Sequence, residues 1–108
     1  MNAQENKVVS KLETIDIKSR SRKIVYEETE HFEAPNWSMD GKYLIFNQNG
    51  SLYKLPLKSL VPQLIDTDFA DRCNNDHGIS PQGDKLVLSH SNNMSGESSL
   101  IYTLPING

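Results

Sequence analysis

One short segment of this sequence gathers side chains that could do chemistry. Residues 73–78 read Cys-Asn-Asn-Asp-His-Gly, so a thiol, two amides, a carboxylate and an imidazole follow one another. His77 could act as a metal ligand or a general base, with Asp76 or Asn75 orienting its ring. The alternative is structural: Asp76 and His77 would hydrogen-bond turn backbone or each other. We take Asn74, Asn75, Asp76 and His77 as the candidate binding residues.

The rest of the sequence gives little support for catalysis or for a metal centre. It lacks the metal-binding spacings His-x-His, His-Glu-x-x-His and Cys-x-x-Cys. It also lacks Gly-x-Ser-x-Gly, the P-loop and Gly-x-Gly-x-x-Gly. Cys73 is the single cysteine and is expected to be a small buried hydrophobe. We therefore expect no catalytic residue, no metal and no cofactor, and we expect His90 to lie at the surface.

Charge and hydropathy narrow the choice of partners. The 108 residues carry 11 basic and 14 acidic side chains, a net charge of -3, which argues against nucleic acid as a partner. No run approaches the roughly 18 apolar residues of a membrane span, and the N-terminus has no apolar leader. With one cysteine, these features predict a cytoplasmic chain whose partner is a protein or a small molecule.

A turn followed by a strand occurs twice along the chain. Residues 38–46 read SMDGKYLIF and residues 80–88 read SPQGDKLVL, at an offset of 42. The next strands match at an offset of 49, with Tyr53 on Tyr102, because the second copy has a longer polar loop at 91–98. A weaker third copy begins the chain. A period of roughly 40 residues with several short strands is typical of a β-propeller blade.

The strand pattern predicts an all-β chain in a single domain, 1–108, built from four-stranded antiparallel blades. Residues 11–27 would supply the last two strands of a first blade, 35–66 a complete blade and 78–106 three strands of the next. The nine predicted strands are 11–17, 23–27, 35–38, 42–47, 51–57, 62–66, 78–80, 85–90 and 99–106. The residues predicted to pack between blades or to shape the turns are Trp37, Tyr53, Tyr102, Asp40, Gly41, Ser80, Pro81 and Gly83.

The two repeated turns carry a family resemblance. Residues 34–46, with Trp37 before the turn, and residues 74–86 resemble the WSPDGK-type, WD-repeat-like blades of TolB-like six-bladed β-propellers, and the resemblance covers nearly the whole chain. Met39 stands where the family has proline, and Gln82 where it has aspartate. Such propellers are much longer, so the chain corresponds to a partial or truncated propeller, and we interpret it as an N-terminal portion.

An incomplete propeller should leave surfaces uncovered. Because blades bury their faces against neighbours, nine strands cannot close a ring. We expect two open blade faces that expose residues such as Trp37 and Phe46. The chain would be part of a longer protein, a marginally stable stack, or a self-assembling unit, for example three copies closing head to tail.

The resemblance implies a function in binding. TolB-like propellers suggest a protein or ligand interaction module without chemistry of its own, with residues 74–77 at the channel mouth. Related propellers also serve as the gating domain of prolyl-oligopeptidase-type serine peptidases or as metal-dependent lyases on acidic sugars. These enzymes are the alternative interpretation.

Overall fold

The chain folds entirely into strands and turns. The computed structural model describes residues 8–91 and 98–106 and contains no helix within them. All nine predicted strands are present, which confirms the all-β fold class. They are β1 (Ser10–Ile15), β2 (Arg22–Glu28), β3 (Glu33–Trp37), β4 (Tyr43–Gln48), β5 (Ser51–Pro56), β6 (Gln63–Leu64), β7 (Cys73–Ile79), β8 (Lys85–Ser91) and β9 (Ser99–Pro105).

The strands form three antiparallel sheets in chain order. Sheet 1 pairs β1 with β2, sheet 2 has the order β3-β4-β5-β6, and sheet 3 has the order β7-β8-β9. Each sheet is a meander of sequential neighbours, as expected of propeller blades. The longer polar loop predicted at 91–98 lies largely outside the described residues.

In both repeated turns a serine hydroxyl hydrogen-bonds a carboxylate and the backbone, but the carboxylate comes from a different position in each turn. Ser38 Oγ accepts hydrogen bonds from the Lys42 and Tyr43 amides and donates to Asp40 Oδ1 at 2.7 Å. In the second turn Ser80 Oγ accepts from the Lys85 amide and donates to Asp84 Oδ1 at 2.9 Å. Gln82 at the position of Asp40 is therefore tolerated, because a neighbouring residue supplies the carboxylate.

Glycine closes both turns. Gly41 and Gly83 adopt φ values of +74° and +78°, which L-residues with side chains rarely adopt. Their amides donate to the Ser38 and Ser80 carbonyls. Pro81 is exposed within the second turn. The predicted turn residues thus lie in two equivalent turns, each before the second strand of its sheet.

Two hydrophobic clusters lie between the sheets rather than within one of them. The cluster between sheets 1 and 2 contains Leu12, Val25, Phe32, Leu44, Phe46 and Leu55. The cluster between sheets 2 and 3 contains Ile45, Leu52, Ile65, Ala70, Cys73, Leu86 and Leu88. Tyr53 packs against the first cluster and Tyr102 against the second. Because sheet 2 is covered on both faces, its strands β4 and β5 supply most of the fully buried side chains.

Two expectations about burial are corrected, for Phe46 and His90. Phe46, expected on an open face, is fully buried, because Tyr26, Phe32 and Tyr53 surround its ring. Trp37, which we expected on an open face, is 52% exposed and does not pack between two sheets. His90, expected at the surface, is buried, and its Nδ1 accepts a hydrogen bond from the Arg72 amide at 3.1 Å.

Candidate binding site on the first strands of sheets 2 and 3

The candidate residues belong to a strand, not to a loop before one. We predicted that the strand begins at Gly78, whereas β7 begins at Cys73. Its pairing with β8 shifts register between Cys73 and His77, so the segment forms an irregular, bulged stretch of strand. Asn74, Asn75 and Asp76 therefore lie within the bulge, and a bulge redirects side chains that a regular strand would alternate.

His77 joins sheet 3 to sheet 2. Its Nδ1 lies 2.6 Å from Asn36 Oδ1 on β3, and its Nε2 lies 3.1 Å from Asn47 Oδ1 on β4. Neither partner is the neighbouring Asp76. The imidazole thus hydrogen-bonds across two sheets, instead of pairing with the acid or with turn backbone as the sequence suggested.

The protonation of His77 follows from its surroundings. Burial lowers the pKa of the imidazole, and the negative charge of Asp76 opposes that shift to a smaller extent. A neutral ring has one N–H donor and one acceptor nitrogen. The ring can therefore donate to only one of the two asparagines, and the other must donate its own NH₂ group to the second ring nitrogen. Both ring nitrogens are occupied in either case.

The four candidate residues divide into two pairs. Asn74 Nδ2 donates to Ser89 Oγ at 3.1 Å and Asn74 Oδ1 accepts from the Asp76 amide at 2.9 Å, so Asn74, like His77, holds the structure together. Asn75 and Asp76 are exposed, and among the described residues their side chains have no hydrogen-bond or ion-pair partner. Only this second pair offers free polar atoms to a ligand.

The first strand of sheet 2 has the same irregularity. The register of β3 shifts between Glu33 and Asn36, and Ala34 within it adopts a φ of +59°. Glu33 contacts His31 at 3.1 Å on this exposed edge. β3 and β7 are the edge strands of adjacent sheets and contact each other, and we call their irregular segments, 33–36 and 73–77, the polar rim. The sequence analysis did not predict this second bulge, because no local signal marks it.

Trp37 ends the same rim. It pairs with Leu44, whose side chain faces sheet 1, whereas its repeat equivalent Ile79 pairs with Leu86 and packs into the cluster between sheets 2 and 3. Sheet 1 has two strands where sheet 2 has four, so it covers less of the face on which Trp37 lies. The exposure of Trp37 thus reflects the narrow sheet beside it.

The thiol of Cys73 is buried. Burial, with a smaller contribution from Asp71, raises the pKa of the Cys73 thiol, and its Sγ lies 3.3 Å from the Ala70 carbonyl oxygen. Residues 8–91 and 98–106 contain no group of three or more His, Cys, Asp or Glu side chains placed to hold a metal ion. A helix able to cross a membrane is likewise absent from these residues.

A groove of about 810 Å³ lies away from this rim. It is lined by Asp40, Lys42, Tyr43, Lys54, Pro56, Leu57, Lys58 and Gln63. Lys54 Nζ lies over the Tyr43 ring, 4.3 Å from its centroid, in a cation–π contact. The sequence analysis did not identify this groove, because its lysines come from separate turns and strands.

Comparison with solved structures identifies the fold. A structure of a protein assigned as TolB from Agrobacterium tumefaciens superposes with a TM-score of 0.84 and 45% identity, over 91% of this chain and 35% of that chain. The chain is a TolB-like β-propeller segment. TolB from Acinetobacter baumannii superposes with a TM-score of 0.72 at 21% identity, over 89% of this chain and 24% of that one, which supports the fold alone.

Sequence comparison finds a relative of which this chain covers a similar share. An uncharacterized protein of Agrobacterium fabrum is 46% identical over 100 residues, which is 92% of this chain and 33% of that protein. No protein-family model matches the chain. The TolB-like segment thus spans about a third of the length of these Agrobacterium relatives.

Proposed function

We propose that this TolB-like segment is an interaction module that binds a protein or small-molecule ligand through the polar rim of β3 and β7, without chemistry of its own. One observation carries the proposal: the bulge in β7 presents the side chains of Asn75 and Asp76 to solvent with no partner among the described residues. Bulged strands often re-aim side chains at binding sites.

The rim also indicates the chemistry of the ligand. Asp76 offers a carboxylate that only accepts hydrogen bonds, and Asn75 offers an amide that both donates and accepts. Glu33, which also contacts His31 at 3.1 Å, adds a second carboxylate on the adjacent strand. A ligand with cationic N–H donors, such as a lysine- or arginine-containing peptide segment, complements this set through charge-assisted hydrogen bonds.

The enzyme alternatives are less favoured by the geometry. A metal-dependent lyase or a general-base mechanism would need a free ring nitrogen on His77, whereas Asn36 and Asn47 contact both of its nitrogens. The gating role in a serine peptidase would additionally require a separate catalytic domain.

Titration followed by nuclear magnetic resonance tests the proposal. The isotope-labelled chain is titrated with a short lysine-rich peptide and, separately, with a glutamate-rich peptide of equal length. We expect saturable shifts of the Asn75 and Asp76 amide signals with the lysine-rich peptide alone. Asp76→Asn should weaken that binding by about fivefold or more, because it removes a charge from the contact.

Asp71→Asn is the matched control. It removes the same charge from an exposed position five residues earlier, outside the bulge, and should leave the affinity unchanged. Equal weakening by both substitutions would reveal nonspecific attraction to an acidic protein and would contradict the proposal. So would binding of both peptides alike, or shifts that map to residues away from β3 and β7.

A further inference from the structure

Three lysines line the groove of about 810 Å³ on sheet 2, which we call the basic groove. Lys42 comes directly before β4, Lys54 lies within β5, and Lys58 follows β5 in the next turn. Within residues 8–91 and 98–106 none of the three ammonium groups forms an ion pair. The chain as a whole carries a net charge of -3, so this groove is a local positive region on an acidic protein.

The carboxylate of Asp40, which also lines the groove, does not cancel this charge. Its Oδ1 accepts hydrogen bonds from the Ser38 hydroxyl at 2.7 Å and from the Lys42 amide at 3.0 Å. These bonds hold the carboxylate in the turn before β4. Three ammonium groups against one carboxylate leave the groove positive.

The walls of the groove are partly apolar, and one of its charges is already positioned. Tyr43, Pro56 and Leu57 are half-buried and supply the apolar surface. The Tyr43 ring holds Lys54 Nζ 4.3 Å from its centroid. A cation–π contact of this kind leaves ammonium N–H groups available to hydrogen-bond an anion.

The second copy of the repeat lacks these charges. Lys42 corresponds to Asp84 at the offset of 42. Lys54 corresponds to Thr103 at the offset of 49, whereas the proline of the wall recurs as Pro105. The equivalent depression on sheet 3 has a volume of about 320 Å³. A sheet of this repeat type therefore forms without the lysines, so the structure gives them no role in folding.

We propose that the basic groove binds a small molecule that carries two or more anionic groups on an apolar body. The anionic groups would pair with the lysines through charge-assisted hydrogen bonds, and the body would pack against Tyr43, Pro56 and Leu57. The volume of the groove falls within the range of roughly 300–1,000 Å³ that small-molecule sites occupy. This site shares no residue with the polar rim and has the opposite charge, so it does not rest on the function proposed above.

Titration with trimesate, a benzene ring bearing three carboxylates, tests the proposal by nuclear magnetic resonance at low ionic strength. We expect saturable shifts of the Lys42, Lys54 and Lys58 amide signals. Lys54→Met should weaken binding by about threefold or more, because it removes a charge while the thioether can still pack on Tyr43. Lys58→Met, at an exposed position, should weaken it similarly, and it decides the question if Lys54→Met does not fold.

Lys23→Met is the matched control, since Lys23 is an exposed lysine on β2, outside the groove. It should leave the affinity for trimesate unchanged. Citrate carries the same number of carboxylates without a ring and should bind about threefold more weakly or worse, because it lacks the apolar body. Equal weakening by Lys23→Met, equal binding of citrate, or the absence of saturable shifts at the groove would overturn the proposal. None of these results bears on the binding of a lysine-rich peptide at the polar rim.

Discussion

His77 connects two sheets through hydrogen bonds to two asparagine side chains. Its ring lies between Asn36 on β3 and Asn47 on β4, and Asn47 is buried. A buried amide that loses its partner keeps its desolvation cost without compensation. The residue that the sequence presented as a candidate for chemistry thus also has a clear role in holding the sheets together.

Replacing His77 should therefore destabilise the fold. We expect His77→Ala to reduce the free energy of unfolding by about 1 to 3 kcal/mol, measured by urea denaturation, because Asn36 and Asn47 lose their shared partner. His31→Ala serves as the control: the His31 side chain is exposed and pairs with the partly exposed Glu33, so the change should stay within about 0.5 kcal/mol. Equal effects of the two substitutions would contradict the bridging role.

The titration of His77 should make stability depend on pH. Its folded pKa lies below the ordinary value of 6.5, so as the pH falls the unfolded chain binds the proton first. The contribution is fully present above that value and is lost as the pH decreases toward the folded pKa. Urea midpoints measured from about pH 8 to pH 5 should fall more steeply for the wild type than for His77→Gln. A wild type that gains stability on acidification relative to this variant would refute the assignment.

At the level of elements, the hairpin between β4 and β5 fixes the path of the chain between sheets 2 and 3. Asn49 and Gly50 adopt φ values of +53° and +82°, which is typical of an Asn-Gly hairpin turn. Gly50 also accepts a hydrogen bond from the Cys73 amide at 2.9 Å. A Cβ atom at Gly50 would lie 2.2 Å from the Asp71 carbonyl oxygen. The hairpin tip is therefore a docking point for the segment that leads into β7.

Two glycine substitutions separate the backbone strain of a positive φ from the collision with Asp71. Gly41→Ala places a side chain at positive φ with nothing within 4 Å, so it should cost about 1 to 2 kcal/mol of unfolding free energy from backbone strain. Gly50→Ala adds the collision with Asp71 and should cost clearly more, roughly 3 kcal/mol or above. Thermal unfolding of the two variants measures the difference, and equal losses would mean that the segment at Asp71 yields freely.

For the whole molecule, stability comes from the two interfaces between three sheets. Each sheet is too thin to enclose a core, so side chains that face a neighbouring sheet are buried and those that face outward are not. The low hydrophobic content of 36% fits this arrangement, because the outer faces of sheets 1 and 3 need few apolar residues to fold the segment.

Equivalent positions in the two copies of the repeat should therefore contribute different amounts to the free energy of unfolding. Leu52→Ala removes a fully buried side chain between sheets 2 and 3 and should cost about 2 to 5 kcal/mol. Ile101→Ala, at the equivalent position on the outer face of sheet 3, should change the unfolding free energy by less than about 0.5 kcal/mol. Chemical denaturation of both variants gives the comparison. Similar losses would show that the outer face of sheet 3 is covered in solution.

Local signals made much of this architecture predictable. Alternating apolar residues, the Asn-Gly hairpin and the two Ser-containing turns involve neighbours in sequence, and these indicated all nine strands. The start of β7 was misplaced by five residues because a bulge has no regular alternation of side chains. His77 was recognised as notable, but its partners Asn36 and Asn47 lie 41 and 30 residues away, beyond any local pattern.

The sequence by itself determined the strands, the turns and the repeat, because hydrogen bonding and backbone preference within a few residues decide them. Only the tertiary structure decided which copy of each repeated position is covered. Ile45 and Val87, or Trp37 and Ile79, occupy equivalent places in the pattern and differ because a neighbouring sheet is present on one side and absent or narrow on the other. Burial depends on what packs against a residue, and that contact is made by chain far away in sequence.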